Sequence, residues 1–328
     1  MKNKKTIIII GIILIILVIG VVIFLFLNNK RKENYVITPI HQTSLSSTDK
    51  EISLKDYKIV EDERKFSLWE VRNDLELTKI KEIANDSGLE LNFESDGYFY
   101  QWIKGEKFMT YNLETNTLII SGEDIIKVES SDLSNSIFSQ LINQYFGFDW
   151  KYEVFETIKV GDNVTKYYAK RYIGENLMEK DYWDNQTDNI VVKDGKIISA
   201  NLLLTQFTNT NKIIPLISQK ELSKVINQSE YPKTNYFDFG VLWKEPNHEE
   251  MLYVSEEWEK IKKSVRDCKA DKISIVYLYK DMSQKYLTPV YKIEAQCNMT
   301  YKGNDYFIPS TWYANAVNPE LILTNDKK

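Results

Sequence analysis

An α+β chain with two or three small antiparallel sheets, each backed by helix, is the fold class this sequence predicts. Three observations carry the prediction. Helically spaced apolar residues are followed by short aromatic and β-branched runs, that order recurs three times, and turn-forming residues mark the breaks. The recurring unit varies from roughly 55 to more than about 80 residues, which excludes a strict solenoid repeat. The chain has 328 residues, 43% of them hydrophobic, enough to bury the cores of about two domains.

The first unit is expected over residues 64–130. Residues 75–89 place Leu75, Leu77, Ile80, Ile83 and Ala84 near one helical face, with Gly88 as the stop. Strand runs follow at 98–105, 107–114 and 116–122, separated by Gly105-Glu106 and by Glu114 to Asn116. The second unit spans 131–213. Asp132 and Ser134 precede a helix whose stripe is Leu133, Ile137, Leu141, Ile142 and Phe146, closed by Gly147. Strands are expected at 150–159, 164–173, 188–193 and 196–206, and Lys193-Asp194-Gly195-Lys196 reads as a hairpin turn.

The third unit spans 214–328. Ser218 with Glu221 three residues on forms a capping box, and its helix is expected to run to about Gln228. An insertion with a further helix near 249–264 precedes strands at 273–280, 286–298 and 305–315. The seven Trp and 21 Tyr fall largely in strand runs. Filling half-buried sheet faces is the simpler reading of these aromatics, and a groove that stacks a glycan or peptide is the alternative.

Ahead of these units lie residues 1–32, expected as a membrane anchor with basic flanks, and 33–63, expected as a flexible linker. Thr6 to Leu27 is an unbroken apolar run without a charge, which as a helix spans roughly 33 Å, enough to cross a bilayer. A cleavable signal peptide is the alternative, but the run ends in Asn28-Asn29-Lys30-Arg31-Lys32 rather than in small residues. These features predict a single-pass protein with a cytoplasmic N-terminus and an extracytoplasmic C-terminal domain. Asn34 to about Glu63 is polar and aperiodic.

Charge narrows the partners. Of 42 Lys and Arg, six lie in the first 32 residues, where no acid occurs. The remaining 36 face all 47 Asp and Glu, a net of −11 beyond the anchor and a poor match to nucleic acid. The expected partners are the bilayer, through residues 6–27, and a membrane or envelope protein, with peptide and neutral glycan partners open and a small-molecule ligand unknown. Asn-x-Ser/Thr sequons begin at Asn85, Asn163, Asn185, Asn227 and Asn298, as an Asn- and Ser-rich chain produces by chance.

Candidate chemistry is sparse. Two His and two Cys exclude an ordinary structural zinc site and a Cys-ligated cluster. His41 falls in the linker, and His248, in Pro246-Asn-His-Glu-Glu250, reads as a solvated loop. Asp184-Asn-Gln-Thr-Asp188 opens like a calcium loop, but Asn189 stands where the turn glycine belongs. There is no Gly-rich phosphate loop and no G-x-S-x-G elbow. No catalytic, cofactor-binding or metal-ligating residue is assigned, and no cofactor is expected. Cys268 and Cys297 are the interpretable pair. If Asp281 to Gln284 make the hairpin turn, opposed residue numbers sum to 565, as these two do, so the thiols face each other within disulfide range. Two buried free thiols are the alternative.

The last third of the chain carries a resemblance. Ser218-Gln-Lys-Glu-Leu222 opens a helix, followed by Leu287-Thr-Pro-Val-Tyr-Lys-Ile-Glu294 and by Tyr306-Phe-Ile-Pro-Ser310, which leads into Tyr313-Ala-Asn-Ala-Val317. This order resembles the final repeat of the WalH/WalI two-component accessory proteins and related PepSY-like domains. The resemblance implies one N-terminal membrane helix, an extracytoplasmic α+β region, and regulation of a membrane sensor kinase or inhibition of a partner without catalysis. The linker, the extra N-terminal unit and the insertion at 229–265 depart from that pattern. The composition, rich in Ile, Lys and Asn, together with the resemblance, points to a bacterial cell envelope. The functional expectation is a membrane-anchored, non-catalytic protein that binds or regulates another envelope protein. The alternatives are an envelope enzyme acting on glycan and a purely structural envelope protein.

Overall fold

A computed structural model of the chain describes residues 51–54, 57, 66–72, 77–128, 136–180, 188–228, 233–238, 255–279 and 284–317. All of these fall in one compact unit, Thr38–Asn318; the other unit, Met1–Ile37 with Pro319–Lys328, lies outside the described residues.

The elements follow from local sequence. After β1 (Ile52–Ser53) and β2 (Phe66–Arg72) comes α1 (Leu77–Asp86), which buries Ile80, Ile83 and Ala84. Gly88 stops it, at φ +67°. The strands β3 (Glu90–Ser95), β4 (Phe99–Lys104), β5 (Lys107–Asn112) and β6 (Thr117–Ser121) form an antiparallel meander. Then α2 (Ser136–Phe146) buries Ile137, Phe138, Leu141, Ile142 and Phe146. The strands β7 (Tyr152–Gly161), β8 (Val164–Ile173), β9 (Asn176–Lys180), β10 (Asp188–Lys193), β11 (Lys196–Leu203) and β12 (Gln206–Ile214) follow. At the β10–β11 turn Asp194 and Gly195 have φ of 49° and 78°, the left-handed backbone an Asp-Gly hairpin uses. Next is α3 (Gln219–Val225), whose capping box is complete: Ser218 Oγ accepts from the Glu221 N–H, and the Glu221 carboxylate accepts from the Ser218 N–H. The chain ends in β13 (Lys233–Phe237), α4 (Ser255–Ser264), β14 (Val265–Tyr279), β15 (Tyr286–Leu287), β16 (Pro289–Tyr301) and β17 (Asn304–Asn315).

The expected α+β class with two or three small sheets is corrected here. The described residues form a mostly β structure, with a 14-stranded mixed sheet, in the order β13-β17-β16-β14-β9-β8-β10-β11-β6-β5-β4-β3 with β1 on β14 and β7 on β8 off this path, and a 3-stranded sheet β12-β2-β15. The runs read from the sequence are strands, but they do not close into separate sheets. The cause is lateral pairing. An edge strand carries unpaired N–H and C=O groups, and another edge satisfies them. Thus β6 pairs with β11 (Ile120 opposite Ala200), and β9 pairs in parallel with β14 (Met178 opposite Tyr277). At β8 the sheet branches: β7 lies along one side, while β10 and β9 share the other, next to Ala169 and Arg171 respectively.

Two cores lie on one face of this sheet. One packs α1 and α2 on Tyr100, Trp102, Met109, Tyr111, Leu118, Ile120, Ala200 and Leu202. It draws on residues on both sides of position 130. The other packs Leu222, Ile226 and Ile261, from the helical segments, with Phe66 and Leu287 of the small sheet against Tyr277, Tyr291, Ile293 and Trp312. Ile52 and Leu54, within the segment expected as a linker, belong to this second core at 1% and 8% exposure.

The single-pass placement is also corrected: among the described residues no helix is long and apolar enough to cross a membrane. The longest of them, α2, has 11 residues. The run from Thr6 to Leu27 on which that placement rested lies outside the described residues.

Candidate binding surface

Cys268 and Cys297 form a disulfide between β14 and β16. The β14–β16 ladder explains the juxtaposition. Lys269 pairs with Gln296 and Ala270 with Ala295, while bulges on either side shift the register by one residue toward each end. Asp188 of the calcium-like sequence faces the interior, 4% exposed, where its carboxylate accepts from the Leu203 N–H at 2.6 Å. His41, His248 and Asp184 lie outside the described residues, and among the described residues no group of acidic, His and Cys side chains is placed to hold a metal ion. Most strand aromatics fill the cores. Trp312, Tyr111, Tyr277 and Tyr279 are fully buried, and burial pushes the Tyr277 hydroxyl up to about 12.

Arg171 and Glu179, 1% and 7% exposed, are, with Asp188, the enclosed charged groups among the described residues. The guanidinium of Arg171, a residue only 1% exposed, lies 4.0 Å from the Trp150 ring centre and 4.7 Å from that of Phe207. It donates to the Thr205 carbonyl at 2.8 Å, which ties β8 to the start of β12. On the opposite sheet face, Glu179 accepts from Lys170 Nζ at 3.0 Å, from Lys292 Nζ at 2.7 Å and from the Tyr313 hydroxyl. Burial pushes its carboxyl up, but Lys292 and Lys170 outweigh burial and hold it below the usual carboxylate range.

Beside the first core, a cleft of about 390 Å³ opens between α1, α2 and the loop 122–128, lined by Lys79, Glu82, Asp86, Asp124, Lys127 and Tyr145 among others. Its walls are stitched together. Ser87 Oγ donates to the Ile125 carbonyl at 3.0 Å, and the Lys127 N–H donates to the Tyr145 hydroxyl at 2.7 Å. Acids and lysines mix in the lining, and no single charge dominates.

The face of the large sheet opposite the helices is different in character. Register places Phe93, Gln101, Thr110, Ile119, Asn201, Asn189, Tyr168 and Glu156 in one transverse row. The adjacent row is Glu90, Ile103, Phe108, Ser121, Ser199, Val191, Lys166 and Ile158. Most of these are half-buried, and apolar side chains are mixed with amide, hydroxyl and charged ones across the strands.

Both rows end on free strand edges. Among the described residues β3 pairs only with β4, and β7 only with β8. Leu91 and Phe93 on β3 are each 51% exposed; Phe155, Ile158 and Val160 on β7 are 44%, 40% and 64% exposed. Two bulges, at Phe155 and Val160, break the β7–β8 ladder, and Lys170 lies 5.0 Å from the Phe155 ring centre. An edge of this kind offers outward backbone donors and acceptors beside apolar side chains, which suits recognition of an extended polypeptide. Sequence reasoning placed a strand here but missed its edge position. The available signal was the alternation of Phe155, Ile158 and Val160 with Glu153, Glu156 and Lys159, apolar residues with no second face to bury them.

No family model matches the chain. No curated protein matches it. Among solved structures, the chain is similar to an uncharacterized protein from Eubacterium rectale, at 10% identity over 81% of this chain and 88% of that one, with a TM-score of 0.40.

Proposed function

We propose that this is a non-catalytic binding protein that takes up an extended segment of a partner protein along the free edge of β7. The observation that carries this reading is the run of exposed large apolar residues, Phe155, Ile158 and Val160, on a ten-residue strand that among the described residues is paired on one side alone. Strand addition supplies affinity through backbone hydrogen bonds and specificity through alternate side chains. Glu153, Glu156 and Lys159 interrupt the apolar run and disfavour pairing with arbitrary strands.

The test is site-specific photocrosslinking in the source cells. A benzophenone side chain at Val160 is expected to trap one protein in near-stoichiometric yield, whereas one at Glu106, in the β4–β5 turn, traps none. Phe155→Glu with Ile158→Glu should abolish the adduct. Equal labelling from both positions, or none from Val160, would refute the proposal.

A further inference from the structure

Residues 51–54 and Tyr57 are held as a bound peptide is held. Ile52 and Ser53 pair in parallel with Cys268 and Lys269 of β14. On its other side the Ile52 backbone is gripped by one side chain: Asn227 Oδ1 accepts from the Ile52 N–H at 3.0 Å, and Asn227 Nδ2 donates to the Ile52 carbonyl at 3.0 Å. The amide thus takes the place of a neighbouring strand. Ile52 and Leu54, two residues apart, point to the same side and enter the second core. Farther along β14, the Ile273 N–H donates to the Tyr57 hydroxyl at 3.3 Å, and the Tyr57 ring packs on the same core. Beyond that point β9 takes up the pairing with β14, at Tyr277 to Tyr279.

Backbone pairing, a bidentate amide clamp, two adjacent apolar sites and a backbone N–H, that of Ile273, aimed at the tyrosine hydroxyl make a recognition site for Ile-x-Leu-x-x-Tyr. The pairing and the clamp recognise extended backbone at Ile52 and Ser53, and the Tyr57 N–H, which donates to the Leu54 carbonyl at 3.2 Å, closes a turn that carries the phenol to Ile273. The disulfide between Cys268 and Cys297 fastens β14 to β16 where β1 docks, so the acceptor strip is covalently braced while the docked segment is held by non-covalent contacts alone. We propose that this strip is a peptide-acceptor site, filled in cis by Ile52 to Leu54 and Tyr57 and able to take the same segment from a second copy of the chain.

The probe is a synthetic peptide of residues 50–58, added at millimolar concentration to the full wild-type chain and followed by amide hydrogen exchange. The expected result is faster exchange of the protein's own Ile52 and Ser53, with Lys269 still protected, and no effect from a scrambled peptide. A second arm uses Ile52→Asp with Leu54→Asp, which empties the site. Once its disulfide and cooperative unfolding are verified, this variant should bind the labelled peptide saturably, and adding Asn227→Ala should weaken binding at least about tenfold. Unchanged exchange in the wild-type protein together with no saturable binding to the folded variant overturns the proposal. Binding insensitive to Asn227→Ala overturns it as well, because the clamp then plays no part.

Discussion

Replacing Glu179 by Ala removes the acceptor around which Lys170, Lys292 and Tyr313 converge. The Glu179 side chain is 6% exposed and that of Lys292 14%, so the truncation leaves an ammonium largely shut off from water. Lys292 then keeps only Glu294, at 3.7 Å and 43% exposed, and Lys170, 26% exposed, can turn toward solvent. Breaking a buried pair from one side costs about 3–5 kcal/mol. The residual Glu294 contact and the hydration open to Lys170 put this case near the lower end, about 3 kcal/mol. The assay is urea unfolding of Glu179→Ala, Lys292→Ala and the double variant. The two residues share one contact, so the cycle should return a coupling of at least about 1 kcal/mol. The sign of the pH dependence follows from the lowered carboxyl. Its folded value lies below the unfolded value of about 4.3, so the stabilisation is fully present above about pH 5 and fades as pH falls through the folded value. The gap between wild type and Glu179→Ala should therefore narrow on acidification. A single-variant cost under about 1 kcal/mol, or no coupling, would refute the reasoning.

Three further outcomes are expected. Cys268→Ser with Cys297→Ser should lose roughly 3.6 kcal/mol in denaturant unfolding, from the loop entropy of a bridge with separation 29; an equally stable variant would show that the unfolded chain gains nothing from its release. Ser218→Ala should cost about 1 kcal/mol through loss of the cap on α3, measured by thermal unfolding. Met109→Ala, at a fully buried position, should cost about 2–5 kcal/mol, whereas Phe307→Ser, at 72% exposure, should stay within about 0.5 kcal/mol. Similar losses at these two sites would contradict the burial that separates them.

Much of the secondary structure was legible because it rests on local signals. The stripe Ile80, Ile83, Ala84, the capping box at Ser218 and the Asp194-Gly195 turn act within a few residues, and each has the expected conformation. Partnership was not legible. Nothing near Leu118 or Ile120 announces that β6 will pair with β11, or that β9 will run parallel to β14, because ladder hydrogen bonds are made by backbone common to every residue. Small sheets and one large sheet have the same alternation, and only the identity of the edges separates them. β2 and β3 were missed for different reasons. In β2, Phe66 and Leu68 are buried while Trp69 and Glu70 are both half-buried, which blurs the alternation, and β3 is almost wholly exposed. For the binding surface, the residues of β7 were readable as a strand, whereas the freedom of its outer edge depends on which strands occupy the far side of β8.

The branch at β8 also bears on how the molecule is made. From Leu77 to Leu203, β3–β6, β8, β10 and β11 find partners within the same stretch of chain, so this half can fold on itself as it leaves the ribosome. The described segments ahead of Leu77 have no such option. Phe66–Arg72 must await Gln206–Ile214, and Ile52 must await Cys268, since these are the segments they pair with. Synthesis therefore supplies the partners of these two segments late. A polypeptide halted before Val265 would carry a folded middle, an Ile-x-Leu segment without its β14 and a β2 with only β12 beside it.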